Sequence, residues 1–419
     1  MILYVFYFFA VLMIALGALS LRGGFRFQNY VKRELAKTPP NFAPFVSIIA
    51  PCRGIDNGLR ENLSALFRQN FPNYEIIFVV DNENDAAFSV IENVRNDFAS
   101  SLNVTSKIIV AGKAENCGQK VHNLREAVLQ VDAKSRVFAF VDSDARPNEN
   151  WLRHLIAPLI DENIGASTGY RWFVSKNFDL CGQFRSVWNA SIASALGADA
   201  DKNFCWGGAT AIRRETFEKI DVREKWRGAV SDDFALTNAL QTAKIPIYFV
   251  PQCLTASLDS CSFVEMIEFT TRQMKITRVY KPEFWKASFI GSILFTATFF
   301  SGVLIVIVRT IYGLPFWFEL TLIAIIFALG AAKSLIRLTA VKSVLPEYKN
   351  EIGASAFWHF SLWTFTPILY FCNGLSAAFS RKILWRGILY EMKSPTETVI
   401  CDSNSRRKVH DTRDNLTSL

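Results

Sequence analysis

Two acidic groups far apart in the chain carry the side chains best suited to chemistry: Val141-Asp142-Ser143-Asp144 and Ser231-Asp232-Asp233-Phe234-Ala235-Leu236. A hydrophobic run ending in Asp-x-Asp puts two carboxylates at a strand tip. Carboxylate oxygens there suit a hard divalent cation and, through it, a nucleotide diphosphate. The second acidic pair precedes a helix and offers a carboxylate that can take a proton from an acceptor hydroxyl. Together they point to transfer of a sugar from a nucleotide donor, and the apolar segments on either side place that reaction at a membrane.

The elements that must position these acids alternate between strand-like and helix-like runs from about residue 40 to 285. Residues 45–50 form a short apolar strand that ends in Pro51-Cys-Arg-Gly. A helical spacing of apolar residues at 59, 63, 66 and 67 follows, and then a second strand over 74–80 that ends at Asp81. A helix over 86–98, a strand over 106–111, a helix over 120–129 and a strand over 136–141 continue the alternation. Repeated units of this kind build a mostly parallel sheet covered by helices, an α/β fold. Ligands bind such sheets beyond the carboxyl ends of the strands, where Asp81 and Asp142 fall.

Half of the 419 residues are hydrophobic and 36 are Phe, a composition that suits a soluble domain joined to a membrane region. Residues 2–21 form an uncharged apolar run of spanning length, read as an uncleaved anchor. Arg22, Arg26, Lys32, Arg33 and Lys37 follow it against the single acid Glu34. That imbalance predicts a cytoplasmic side for the domain. After residue 285, spans are expected over 287–308 and 316–332, with a less uniform third candidate over 357–379 that contains Pro367 and Asn373. Three spans after a cytoplasmic domain put the tail outside, yet Arg381, Lys382, Arg386, Lys393, Arg406, Arg407 and Lys408 favour the inside. A re-entrant or interfacial segment among them is one way to reconcile the two. The eight cysteines are scattered without a Cys-x-x-Cys pair, which argues for reduced thiols rather than zinc or disulfides. The net charge of +8 gathers at membrane flanks and in the tail. It is read as headgroup attraction rather than nucleic-acid binding, for which no module is present.

Pro51-Cys-Arg-Gly-Ile-Asp56 with Leu59 and Asn62-Leu63, then Gly118-Gln-Lys-Val-His-Asn123-Leu, Asp142-Ser-Asp-Ala-Arg146, Gly207-Gly-Ala, Ser231-Asp-Asp233 and Arg272-Gln273 form an ordered set. This set resembles the ceramide glucosyltransferases, inverting GT-A-fold glycosyltransferases related to family 2. The resemblance implies an anchor over 1–21, a GT-A domain over 40–262, an amphipathic interface helix over 263–286, a membrane region over 287–379 and a basic polar tail over 380–419. It also implies that Asp144 and Asp142 hold Mg²⁺ or Mn²⁺, and that Pro51, Arg53, Asp81, Lys120 and Asp142 bind the nucleotide sugar. Asp81 then lies near the uridine and ribose, with Asn82 and Asp85 as competing registers. Asp233 is implied as the general base, supported by Asp232, and a helix-capping role for it is compatible with catalysis.

Gly207 and Gly208 are expected to let backbone approach the acceptor or sugar. Arg272, Gln273 and Lys275 are expected at the acceptor or diphosphate, with Arg272, Lys275 and Arg278 on one face of an amphipathic helix. The family's (Gln/Arg)-x-x-Arg-Trp motif stands here as Arg272-Gln-Met-Lys275-Ile276. The absence of its Trp argues against a processive polymer synthase and loosens the assignment of ceramide as acceptor. The expected protein is a multi-pass membrane glycosyltransferase moving a hexose, foremost glucose from UDP-glucose, onto a lipid hydroxyl such as ceramide's. Alternatives are a UDP-N-acetylglucosamine-dependent transferase acting on a hopanoid or other bacterial lipid, and a non-catalytic membrane scaffold that retains the fold.

Overall fold

β1 (Val46–Pro51) and β2 (Tyr74–Val80) are buried at every position. Continuous apolar strands of this kind sit in the middle of a sheet with both faces covered. With β3 (Val104–Val110), β4 (Val137–Phe140), β5 (Ala166–Phe173), β6 (Thr210–Arg213) and β7 (Ile247–Ser257) they make a seven-stranded sheet of order β3-β2-β1-β4-β6-β5-β7. The computed structural model describes residues 2–101, 103–175, 179–258 and 260–401; Arg406, Arg407 and Lys408 lie outside them. The sheet is parallel except for β6, which runs antiparallel to both β4 and β5.

The chain winds outward from β1 through β2 to β3, then returns to lay β4 on the other side of β1. That reversal opens a crevice at the carboxyl ends of β1 and β4, the usual ligand site of open α/β sheets. The loop from Arg53 to Asp56 leaves β1, Asp81 follows β2, and Asp142 and Asp144 follow β4. The acids singled out in the sequence therefore share one edge of the sheet. A cleft of about 600 Å³ lined by Phe42, Gln69, Pro72, Asn103 and Arg153 opens at the opposite edge, among the segments that lead into β1, β2 and β3.

Each sheet face has its own apolar core. One holds Phe27, Tyr30, Leu63, Trp151 and Trp172; the other holds Val121, Phe138, Trp226, Tyr280, Tyr390 and Met392. The presence of Tyr30 and Tyr390 in these cores corrects two expectations. The N-terminal helix runs over Ile2–Leu35, well past the apolar stretch that ends at residue 21. Its last turns dock on β7: Tyr30 Oη donates to the Phe249 carbonyl at 2.6 Å, and Glu34 accepts from Tyr248 Oη at 2.8 Å. The segment after residue 380, expected as a polar tail, folds into three antiparallel strands: β8 (Lys382–Trp385), β9 (Ile388–Ser394) and β10 (Glu397–Cys401). Its apolar residues alternate with polar ones, so one face, carrying Ile383, Tyr390 and Met392, can be buried.

Among the described residues, three helices are long and apolar enough to cross a membrane: Leu3–Leu35, Pro282–Ile311 and Trp317–Val344. The third C-terminal candidate is not a continuous helix. It breaks into Ala356–Ser361, a 3₁₀ turn over Leu362–Thr364 and Thr366–Phe379. Pro367 explains the break, since proline lacks an N–H and disfavours helix before it. The 14 residues of Thr366–Phe379 reach only about 21 Å at 1.5 Å per residue, short of a hydrocarbon core of roughly 30 Å. After the sheet domain, two helices of spanning length, Pro282–Ile311 and Trp317–Val344, precede β8–β10, whose apolar face packs back on that domain.

Candidate functional site

The Asp142–Asp144 loop is held by two cations from neighbouring elements. Lys120, in the first turn of helix Gln119–Ala127, places Nζ 2.6 Å from Asp142 Oδ1 and 3.0 Å from Asp232 Oδ1. Arg171, on β5, reaches Asp144 Oδ2 at 3.2 Å and Asp142 Oδ2 at 3.5 Å, and stacks over the Trp206 ring at 4.9 Å. Burial opposes ionisation of Asp144, but Arg171, with Arg386 and Lys120 behind it, holds its carboxyl below the usual range. Burial would likewise lower the Lys120 ammonium, yet Asp142 and Asp232 push it above its ordinary value.

Asp144 Oδ1 is buried with no hydrogen-bond partner. A buried carboxylate oxygen without a donor is costly unless something else satisfies it. No cluster of three or more potential ligands exists among the described residues. The donor set fits Mg²⁺ or Mn²⁺, which bind through one or two carboxylates and complete their shell with phosphate and water.

The Ser231-Asp232-Asp233 segment starts helix Asp232–Thr242. Its position is fixed from several sides. The Trp226 indole donates to the Asp232 carbonyl at 2.9 Å, and Tyr280 Oη accepts from the Val230 and Ser231 amides at 2.9 and 3.3 Å. Gly118 packs against this segment so closely that a Cβ there would lie 2.8 Å from the Val230 carbonyl oxygen. The two acids end in different surroundings. Asp232 is buried and held by Lys120. Asp233 is half-buried, and its Oδ1 accepts from Ser231 Oγ and from the Phe234 amide at 2.8 Å. Its Oδ2 has no hydrogen bond within the described residues.

Burial pushes the Asp232 carboxyl up to about 6, against the pull of Lys120, with Asp233 and Asp142 adding to the rise. An acid whose folded-state pKa is raised stabilises the fold below its unfolded pKa, and that contribution is lost as pH rises through about 6. In detergent, the thermal midpoint is therefore expected to carry a component that falls between about pH 4 and 6. Asp232→Asn should remove that component. Identical pH dependence of melting in the two proteins would contradict the assignment.

The other expected residues divide. Arg53 pairs with the buried Asp81 at 3.3 Å, and Asn82 donates to Asp81 at 2.8 Å. Asp85 instead caps helix Ala86–Asp97 and accepts from the amides of Gly54 and Ala87, each at 2.8 Å, which leaves Asp81 as the acid facing the crevice. Pro51 is buried at the end of β1. The room beside Gly207 is filled by Lys120 Nζ and Asp232 Oδ2, and that beside Gly208 by the ring of Trp206. Both glycines thus leave room for the protein's own side chains.

In the helix Phe263–Tyr280, Arg272 lies over the Phe269 and Trp385 rings, within electrostatic reach of Asp144. Burial, with Arg171 and Arg386 nearby, lowers its guanidinium to about 10. Lys275 donates to the Lys382 carbonyl at 3.0 Å and Arg278 to the Ala377 carbonyl. The Gln273 side chain makes no hydrogen bond within the described residues. Sequence reasoning missed Arg171 and Arg386. An arginine inside the buried strand β5 was a usable sign for the first. Trp-Arg-Gly between alternating runs was one for the second.

The model of glycosyl transferase family 21 matches residues 5–398. Ceramide glucosyltransferase 1 of Caenorhabditis elegans is 33% identical over 89 residues, 21% of this chain and 18% of that protein. The ceramide glucosyltransferase of Komagataella phaffii is 37% identical over 65 residues, 16% of this chain and 13% of that protein. The matched segments thus span less than a fifth of these relatives. Among solved structures, a mannosyltransferase of Pyrobaculum calidifontis in complex with GDP-Man and Mn²⁺ is similar at a TM-score of 0.44 and 16% identity, covering 88% of this chain and 98% of that one.

Proposed function

The chain belongs to glycosyl transferase family 21, and on that premise we propose that it transfers a hexose, glucose from UDP-glucose, with inversion onto the hydroxyl of a membrane lipid such as ceramide. The observation that carries this reading is that Lys120 bridges Asp142 and Asp232, and so joins the Asp142–Asp144 loop to the Asp232–Asp233 pair, at the crevice where β1 and β4 diverge. Arg53 and Asp81 lie at the nucleoside end of that crevice, while Lys120, Arg171 and Arg272 supply positive charge for the diphosphate. Asp142 and Asp144 would hold a divalent cation, which neutralises charge developing on the leaving diphosphate.

Asp233 Oδ2 accepts the proton of the lipid hydroxyl as its oxygen attacks the anomeric carbon. The bond from that carbon to the diphosphate breaks, and UDP leaves with the electron pair. One displacement inverts the anomeric centre. Ser231 Oγ and the Phe234 amide orient the carboxylate by holding its other oxygen. The cations after the first span favour a cytoplasmic domain, where a nucleotide sugar is available, and the spans bring lipid acceptors to it.

Labelled glucose supplied as UDP-glucose, with ceramide and Mn²⁺ or Mg²⁺, should appear in the lipid extract of membranes that contain the protein. Product formed from UDP-N-acetylglucosamine and a hopanoid instead would keep the chemistry and replace both substrates. No lipid product from any nucleotide sugar with folded protein would overturn the catalytic reading.

A further inference from the structure

β8 and β9 are joined by Arg386 and Gly387 alone, since Trp385 pairs directly with Ile388. Both turn residues have positive φ, 49° and 79°. This is the mirror-image turn of tight hairpins, which selects Asn-Gly, Asp-Gly or Gly-Gly because its first position disfavours most side chains. Arginine gains nothing locally there; unlike Asn or Asp, it has no short polar group to bond its own backbone. A side chain kept in a left-handed position against local preference points to a task elsewhere.

Its surroundings indicate that task. Arg386 pairs with Asp56 in the loop after β1, and Asp56 accepts from Ser143 Oγ at 2.5 Å, between the two acids of the Asp142–Asp144 loop. The guanidinium thus sits where the loops after β1 and β4 meet. Its side chain is 40% exposed, and one ion pair leaves part of its five-donor fork unused. The neighbouring Trp385 ring lies 5.8 Å from the Arg272 guanidinium.

The hairpin is also rigidly docked. Tyr390 Oη accepts from the Gln119 amide at 3.1 Å, next to Lys120, and Thr398 Oγ1 donates to the Gly228 carbonyl at 2.7 Å, just before Ser231. Ile383, Tyr390 and Met392 are buried in the sheet's core. A turn whose sheet is anchored to the start of the Lys120 helix and to the segment before Ser231 presents its tip at fixed geometry.

We propose that the Arg386-Gly387 turn completes the donor site, with Arg386 binding the diphosphate of the nucleotide sugar through its guanidinium fork. A planar fork meets phosphate oxygens in pairs, which a lysine cannot do. The inference rests on the reading of the crevice as a nucleotide-sugar site.

Arg386→Asn tests it with the fold protected, because Asn-Gly is the preferred sequence of this turn. With the full chain in detergent and Mn²⁺ present, the Kd for UDP should rise about 10- to 100-fold, as for loss of a charge-assisted hydrogen bond. The affinity for uridine, measured by competition, should not change, and the thermal midpoint should hold or rise. Arg386→Lys, which keeps the charge and loses the fork, should fall between. Unchanged UDP affinity in Arg386→Asn would overturn the proposal, as would equal losses for UDP and uridine, which would make the residue a structural latch for Asp56. Wild-type protein that binds neither UDP nor GDP would sink the underlying reading as well.

Discussion

Asp233→Asn is expected to lower the transfer rate about 10²–10⁴-fold, the usual contribution of a positioned general base, while UDP affinity stays close to wild type. The asymmetry of its two oxygens is the reason. Oδ1 is engaged by Ser231 Oγ and the Phe234 amide, and Oδ2 is left without a partner in the described residues. Asparagine preserves the shape and can still accept through its carbonyl oxygen, so the helix start should survive. It cannot take the acceptor's proton.

Asp232 offers the contrast. It is buried against Lys120, and that ion pair occupies the oxygen facing the Asp142 loop. Asp232→Asn should therefore weaken diphosphate binding and rate together by disturbing Lys120. Steady-state kcat and UDP titration on both variants separate the two roles. A rate within tenfold of wild type for Asp233→Asn, beside collapse for Asp232→Asn, would transfer the base to Asp232.

Much of this site was legible because its parts are local. β2 and β4 are apolar runs that end at the acids, β1 is one that ends in the Arg53 loop, and Ser231 with its following acids reads as a helix start whatever lies around it. Lys120, too, follows from its place at the start of a helix beside the crevice. What was not legible depends on contacts between distant segments. Arg171 is far in sequence from Asp142 and Asp144, and nothing in its own strand says that two carboxylates will face it. The cations of the interface helix looked equivalent at one-turn spacing, yet Arg272 meets the site while Lys275 and Arg278 cap backbone carbonyls of β8 and Thr366–Phe379.

The hairpin of β8 and β9 was hidden by its charge. Lys382, Arg386 and Lys393 read as headgroup ligands so long as the segment was taken for a tail. The alternation that buries Tyr390 and Met392 between less buried neighbours carried the correction. The third C-terminal candidate is similar: its mean apolarity is that of a span, while Pro367 divides it into shorter helices.

Asp144→Asn should remove the metal-dependent part of both UDP binding and transfer, with a loss in rate of at least about 10²-fold, since metal stabilisation of a leaving group amounts to several kcal/mol. Asp144 is the more telling of the pair because its Oδ2 faces Arg171 while Oδ1 is buried without a donor. Arg171 and its neighbours hold the carboxyl below its usual range, so it stays ionised into acid solution and is ready for a hard cation. Neutralising it leaves Arg171 still paired with Asp142 at 3.5 Å, which protects the local structure from an uncompensated buried charge. The variant should therefore melt near wild type and resemble wild type treated with EDTA, and added Mn²⁺ should rescue only the wild type. If EDTA leaves the wild-type rate intact, the charge on the leaving diphosphate is met by Lys120, Arg171 and Arg272 alone, and the metal assignment of Asp142 and Asp144 fails. The same comparison run on Asp142→Asn should be more severe for stability, because Asp142 pairs with both Lys120 and Arg171 and its loss weakens two ion pairs where Asp144→Asn weakens one.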